Sequence, residues 1–168
     1  MVRKYWLILT LVLGLSLTVG TQATAIGTTV DQLDGKQAVT LVEDAFDVQR
    51  SLSEKPREKA DIEAMLSDYF TDEQVKGFME ENLYQEGDGY SAFGSDFASY
   101  YIPFFTFDKE TKAAFDDGHW YIWEVRSGDE EGPVSTVQGE EVVKLSFTDG
   151  KWKVSSISYE LPSGIKGS

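Results

Sequence analysis

The sequence predicts an α+β domain whose N-terminal helices pack on a curved, mainly antiparallel sheet. Three observations predict it. Apolar residues recur at helical spacing up to about Leu83, and they alternate at a two-residue period from about Tyr100 onward. Two Asp-Gly pairs, Asp117-Gly118 and Asp149-Gly150, each sit between alternating runs, the pattern of a tight hairpin turn. Helices first and strands afterwards make separated layers rather than alternating βαβ units.

Asp34-Gly35-Lys36-Gln37 offers a capping box, with Asp34 as N-cap and Gln37 reaching back. Val39, Val42, Ala45, Phe46, Gln49 and Leu52 follow at helical spacing, so the first helix is expected to run to about Ser53. Pro56 interrupts it and can open the first turn of the next helix, whose apolar stripe is Ile62, Met65, Leu66 and Tyr69. Thr71 with Gln74 forms a second capping box, before a third helix carrying Val75, Phe78, Met79, Asn82 and Leu83. The stretch 85–99 is rich in Gly, Asp and Ser but holds Tyr90, Phe93 and Phe97, which predicts an ordered loop pinned by aromatics.

Residues 100–107 form the first strand candidate, with Pro103 marking an edge or a bulge. Residues 113–126 fold about Asp117-Gly118 as one hairpin, and residues 138–161 about Asp149-Gly150 as another. Residues 127–133 read as an acidic loop between them. In the last strand Trp152 and Val154 share one phase, and Ile157, Tyr159 and Leu161 share the opposite one. One extra residue near Ser155 or Ser156 would return both sets to the same face, which is a β-bulge.

The first 25 residues read as a signal peptide. Arg3 and Lys4 supply the positive start, Trp6 to Val19 is the apolar core, and Ala23-Thr24-Ala25 is a cleavage signature. A spanning helix needs about 20 apolar residues, more than this run provides. Cleavage after Ala25 would leave 143 of the 168 residues, one domain's worth, and would secrete it without stable membrane association. Residues 26–36 are expected to be a flexible lead-in, 37–161 the domain and 162–168 a tail.

The formal charge is −14, and −16 once the segment bearing Arg3 and Lys4 is gone. That charge repels nucleic acid and anionic membranes, so neither is an expected partner. The chain has no cysteine, so its stability must come from its core, and a 13% aromatic content suits a well-filled one.

Two stretches resemble the nuclear transport factor 2-like fold, a cone whose sheet wraps around its helices. One is the helical segment L-S-D-Y-F-T-D-E-Q-V-K-G-F at 66–78. The other is the terminal hairpin 142–159, with G-K-W-K-V across its turn. More narrowly, the chain resembles an uncharacterised family of small exported proteins of Gram-positive bacteria. The resemblance covers about 37–161. It implies a cone-shaped scaffold and, in the fold's enzymes, an acid or His base inside the cone. The fold hosts catalysts and noncatalytic binders alike.

Candidate chemistry is sparse. His119 is the only histidine, and it follows a predicted turn where an exposed position is expected. A Ser-His-Asp triad would have to use it; with no second His and no Cys, common zinc sites and Cys-His catalysis have no ligands or nucleophile. Asp68 and Tyr69 could act as base and oxyanion donor if both faced a cavity, but Asp68 lies off the apolar stripe. Glu86, Asp88 and Asp96 are candidate calcium ligands in a Gly-rich loop without EF-hand spacing. Tyr100, Tyr101, Trp120 and Trp123 are candidates for a ligand or partner surface. Trp120 and Trp123 fall on opposite faces of an ideal strand, so at least one lies outside the central core. The expectation is therefore a noncatalytic binding module without cofactor, for an unknown small molecule or protein. Its alternative is a small cavity enzyme of isomerase, dehydratase or hydrolase type using a carboxylate and a tyrosine.

Overall fold

Three helices, a short hairpin and a four-stranded antiparallel sheet follow one another along the chain. The computed structural model describes residues 33–93, 98–126 and 139–165. The signal segment, the cleavage position, Asp96 and the acidic loop lie outside the described residues. Helix α1 is Gly35–Ser51, α2 Lys59–Ser67 and α3 Asp72–Asn82; strands are β1 Leu83–Glu86, β2 Gly89–Ala92, β3 Lys112–Asp116, β4 His119–Arg126, β5 Gly139–Thr148 and β6 Lys151–Ser158. The fold is α+β, with the helices packed against sheets that do not close. Among the described residues no helix is long and apolar enough to cross a membrane.

The capping box of α1 forms as its sequence predicts. Gln37 N–H donates to Asp34 Oδ1 at 2.8 Å, and Asp34 N–H donates to Gln37 Oε1 at 2.8 Å. The helix buries Ala38, Val42, Ala45, Phe46 and Gln49. Helix α2 starts at Lys59 rather than at Pro56, because Arg57 is used elsewhere: its backbone exchanges hydrogen bonds with Tyr90 at 2.9 and 2.8 Å.

Helix α3 starts at Thr71 as expected, but the Thr71/Gln74 capping box does not form, since Thr71 makes no side-chain cap. Thr71 N–H instead donates to Val154 O at 3.0 Å, and Val154 N–H donates to Tyr69 O at 2.8 Å. Residues 69–71 thus cover the open edge of β6, where unpaired backbone groups would otherwise face water. Gln74, released from capping, is buried.

Two expectations are corrected. The stretch 85–99 is not only a loop, because β1 and β2 pair as a hairpin with Gly87 at φ 61° in its turn. Residues 100–107 form no strand. Tyr100 and Phe107 both take positive φ, at 61° and 51°, which interrupts an extended run. Tyr101, Ile102, Pro103 and Phe105 are buried in near succession, so the segment is surrounded by protein rather than one-sided. Side chains replace the missing ladder. Gln49 Nε2 donates to Tyr100 O at 2.8 Å, and Ile102 N–H donates to Gln49 Oε1 at 3.0 Å. The Glu124 carboxylate accepts from the Thr106 and Phe107 amides at 2.9 and 3.0 Å and from Thr111 Oγ1 at 2.6 Å.

The sheet runs in the order β3-β4-β5-β6. Both tight turns fall where Asp-Gly predicts: Asp117 and Gly118 take φ 46° and 79°, Asp149 and Gly150 53° and 79°. Lys144 opposes Ser156 while Leu145 opposes Val154, so Ser155 is the extra residue of a bulge. The bulge works as the phase argument requires. Trp152, Val154 and Ile157 all stand on the face that carries Ile122, Val143 and Leu145 toward the helices.

Candidate functional site

Cross-strand pairing assembles an aromatic groove at the turn end of the sheet. Phe115 opposes Trp120, Trp120 opposes Leu145, and Phe147 opposes Trp152, so all of them share the helix-facing side. Near the two turns, however, among the described residues no helix lies over them except the first turn of α1. Gly35 there approaches the Trp120 ring, with its absent side chain's position 3.6 Å from Cη2 and Cζ3. The result is a groove of about 610 Å³ lined by Leu33, Asp34, Phe115, Trp120, Phe147 and Trp152. Phe115 is 56% exposed and Phe147 36%. Phe115 lies 5.5 Å from Trp120 and 6.2 Å from Trp152 between ring centroids, and Phe147 lies 5.5 Å from Trp152. Large aromatic faces left open together cost free energy in water and gain it when covered. The Asp34 carboxylate at the rim is already engaged as the helix cap.

The four aromatic surface candidates part company. Trp120 lines this groove. Trp123, on the opposite face of β4, is only 4% exposed, and Tyr101 only 5%, so neither presents a surface. Burial holds the Tyr101 hydroxyl above its usual pKa, although Arg50 pulls it down. Tyr100 is half-buried beside a second, polar cleft at the far end of β6.

The catalytic candidates do not converge. Asp68 is exposed and faces Lys151 Nζ at 3.4 Å. Tyr69 is half-buried and lies instead against Lys36, Gln37, Thr40, Leu41 and Asp44 of α1. His119 sits on the outer face, where the sequence suggested simple exposure; it is half-buried and bonded to Ser146, 3.0 Å from Nδ1 to Oγ. Ser146 Oγ is 2.7 Å from Ser155 Oγ, which donates to Lys144 O at 3.3 Å. Which of His119, Ser146 and Ser155 donates along this chain follows from the histidine tautomer and the rotation of the two hydroxyls. The Ser146 amide, on an interior strand, belongs to a β-ladder and forms no oxyanion hole. Nearby, burial and then Asp116 and Asp117 raise the pKa of Tyr121.

Of the metal candidates, Glu86 and Asp88 lie on the β1–β2 hairpin and Asp96 lies outside the described residues. Glu86 accepts from the buried Ser91 hydroxyl at 2.7 Å, and Asp88 projects from the β1–β2 turn. Among the described residues no group of three potential ligands gathers to hold a metal.

Both the groove and the polar cleft escape a reading by motif, because their residues come from distant segments. The signal available for the groove was the aromatic residues flanking both Asp-Gly turns, Phe115, Trp120, Phe147 and Trp152. A family model described as a protein of unknown function (DUF3993) matches residues 34–126, from the cap of α1 to the end of β4. No curated protein and no solved structure matches the chain.

Proposed function

The chain belongs to this family of unknown function, and we propose that it acts as an exported, noncatalytic binding module that takes an apolar ligand in the aromatic groove. The observation that carries the reading is the exposed pair Phe115 and Phe147 standing over half-buried Trp120 and buried Trp152, between two hairpins and the start of α1. The groove falls within the usual ligand-pocket range of roughly 300–1,000 Å³. Its side-chain lining is apolar apart from Asp34, whose Oδ1 caps α1, so it offers chiefly contact area and shape.

The scaffold is the nuclear transport factor 2-like cone. Three helices before a four-stranded sheet, bent by a bulge in its last strand, support that assignment. The positive start, the apolar run and Ala23-Thr24-Ala25 support export with cleavage after Ala25. The charge of the remaining chain supports a neutral or cationic ligand and disfavours nucleic acid.

Titration with the neutral fluorophore Nile red tests the groove. Saturable uptake that quenches tryptophan emission is expected, and Phe115→Ser should weaken it about tenfold with little change in melting midpoint, since that ring is largely exposed. Uptake by Phe115→Ser equal to that of the native chain, or no saturable uptake at all, would refute the reading.

A further inference from the structure

We infer that the cleft between α3 and the end of β6 is a second binding site, for a neutral, polyhydroxylated ring of the saccharide class. It lies at the other end of β6 from the groove and does not depend on it. Its volume is about 350 Å³, and it is framed by Gln74, Ser99, Tyr100, Ser156, Ile157 and Tyr159. That is the small end of the ligand-pocket range, room for one ring rather than a long chain.

Gln74 points to a ligand. The residue is only 6% exposed, and its buried Oε1 has no hydrogen-bond partner. A buried amide oxygen left unpaired is costly, and most such groups in folded proteins find a partner. The expected partner, the N-terminal backbone of α3, is not used: Gln74 makes no capping box. Gln74 instead lines the cleft, with its unpaired oxygen buried behind the wall.

The wall beside it is firmly set. Tyr100 holds φ 61°, unusual for a residue with a side chain, and it is fixed there from three sides. Gln49 donates to its carbonyl at 2.8 Å, Asn82 Nδ2 donates to the preceding carbonyl of Ser99 at 2.8 Å, and its ring fills the notch at Gly77. Ser156 is placed by the bulge at Ser155.

The lining chemistry selects the ligand class. Among the described residues no charged side chain lines the cleft, although the chain carries a net −14, so a charged ligand would find no counter-ion among them. An amide and serine and tyrosine hydroxyls can each donate or accept, which suits ligand hydroxyls that do both. Ile157 and the two tyrosine rings add apolar surface, and Tyr159 is 54% exposed at the rim. A sugar ring offers both characters, hydroxyls at its edge and C–H groups on its face.

Methyl β-glucopyranoside and N-acetylglucosamine are the probes, titrated into the full chain and followed by amide chemical shifts. At least one should bind saturably with a millimolar Kd, shifting the amides of Gln74 and Ser156. Gln74→Leu should weaken binding about tenfold while keeping the melting midpoint at or above the native value, because it removes an unpaired buried oxygen. Tyr159→Ala, at an exposed position, should weaken it without loss of fold. A tetrasaccharide that binds as well marks a terminal ring of a glycan as the target, and one that fails marks a free sugar; either supports the proposal. Binding of neither monosaccharide, or binding undiminished in both variants, would overturn it.

Discussion

Gly77→Ala should destabilise this protein even though alanine is the better helix former. In an open helix the exchange gains about 1 kcal/mol. Here the added Cβ would stand 2.5 Å from Cε1 and Cζ of Tyr100 and 2.7 Å from Cε2. Carbon atoms normally meet at about 3.5–4.0 Å, so the overlap is about 1 Å. The ring cannot swing aside freely, because the Tyr100 backbone is held at positive φ and its carbonyl is bound by Gln49. Overpacking of this kind costs roughly 1–3 kcal/mol, and the rigid partner places it near the upper end. After the helix-propensity gain, a net loss of about 2 kcal/mol remains. At roughly 2–4 °C per kcal/mol the melting midpoint should fall by roughly 4–8 °C. Urea denaturation of four chains, native, Gly77→Ala, Tyr100→Ala and the double variant, isolates the contact. In the Tyr100→Ala background the clash is gone, and Gly77→Ala should become stabilising. An increase in stability from Gly77→Ala in the native background would refute the reasoning, and with it the rigidity claimed for Tyr100.

The two helix starts should respond differently to the same kind of change. Asp34→Ala breaks a formed capping box and should cost about 1 kcal/mol in urea denaturation, whereas Thr71→Ala, which removes no side-chain cap, should cost well under half of that. Tyr101 should give stability an alkaline limb. Its folded pKa lies above the ordinary value of 10.0, chiefly through burial, so its contribution is complete below about pH 10 and is lost as pH rises through the folded value. Tyr101→Phe should therefore flatten the decline of the melting midpoint above about pH 10, and an unchanged slope would show that this hydroxyl is not the group responsible.

Local chemistry alone specified much of this molecule. Asp34 and Gln37 form a capping box because both bonds lie within one turn of chain. The Asp-Gly pairs become turns because their positive φ is a property of those residues. The phase slip in β6 predicted the bulge, since side chains alternate with a period of two and only an inserted residue reunites Val154 with Ile157. Thr71 and Gln74 carry the same local signature as Asp34 and Gln37, yet tertiary structure overrode it. The edge of β6 needed the Thr71 backbone, and Gln74 was left buried beside Ser156, a residue more than eighty positions away. Residues 100–107 alternate well enough to suggest a strand, but Gln49, Glu124 and the Gly77 notch hold them as a buried loop. Fold class, turns and bulge were legible because each depends on neighbours in sequence. The groove and the cleft were not, because each exists only where segments remote in sequence meet, and burial and partnering there are decided by the whole packing.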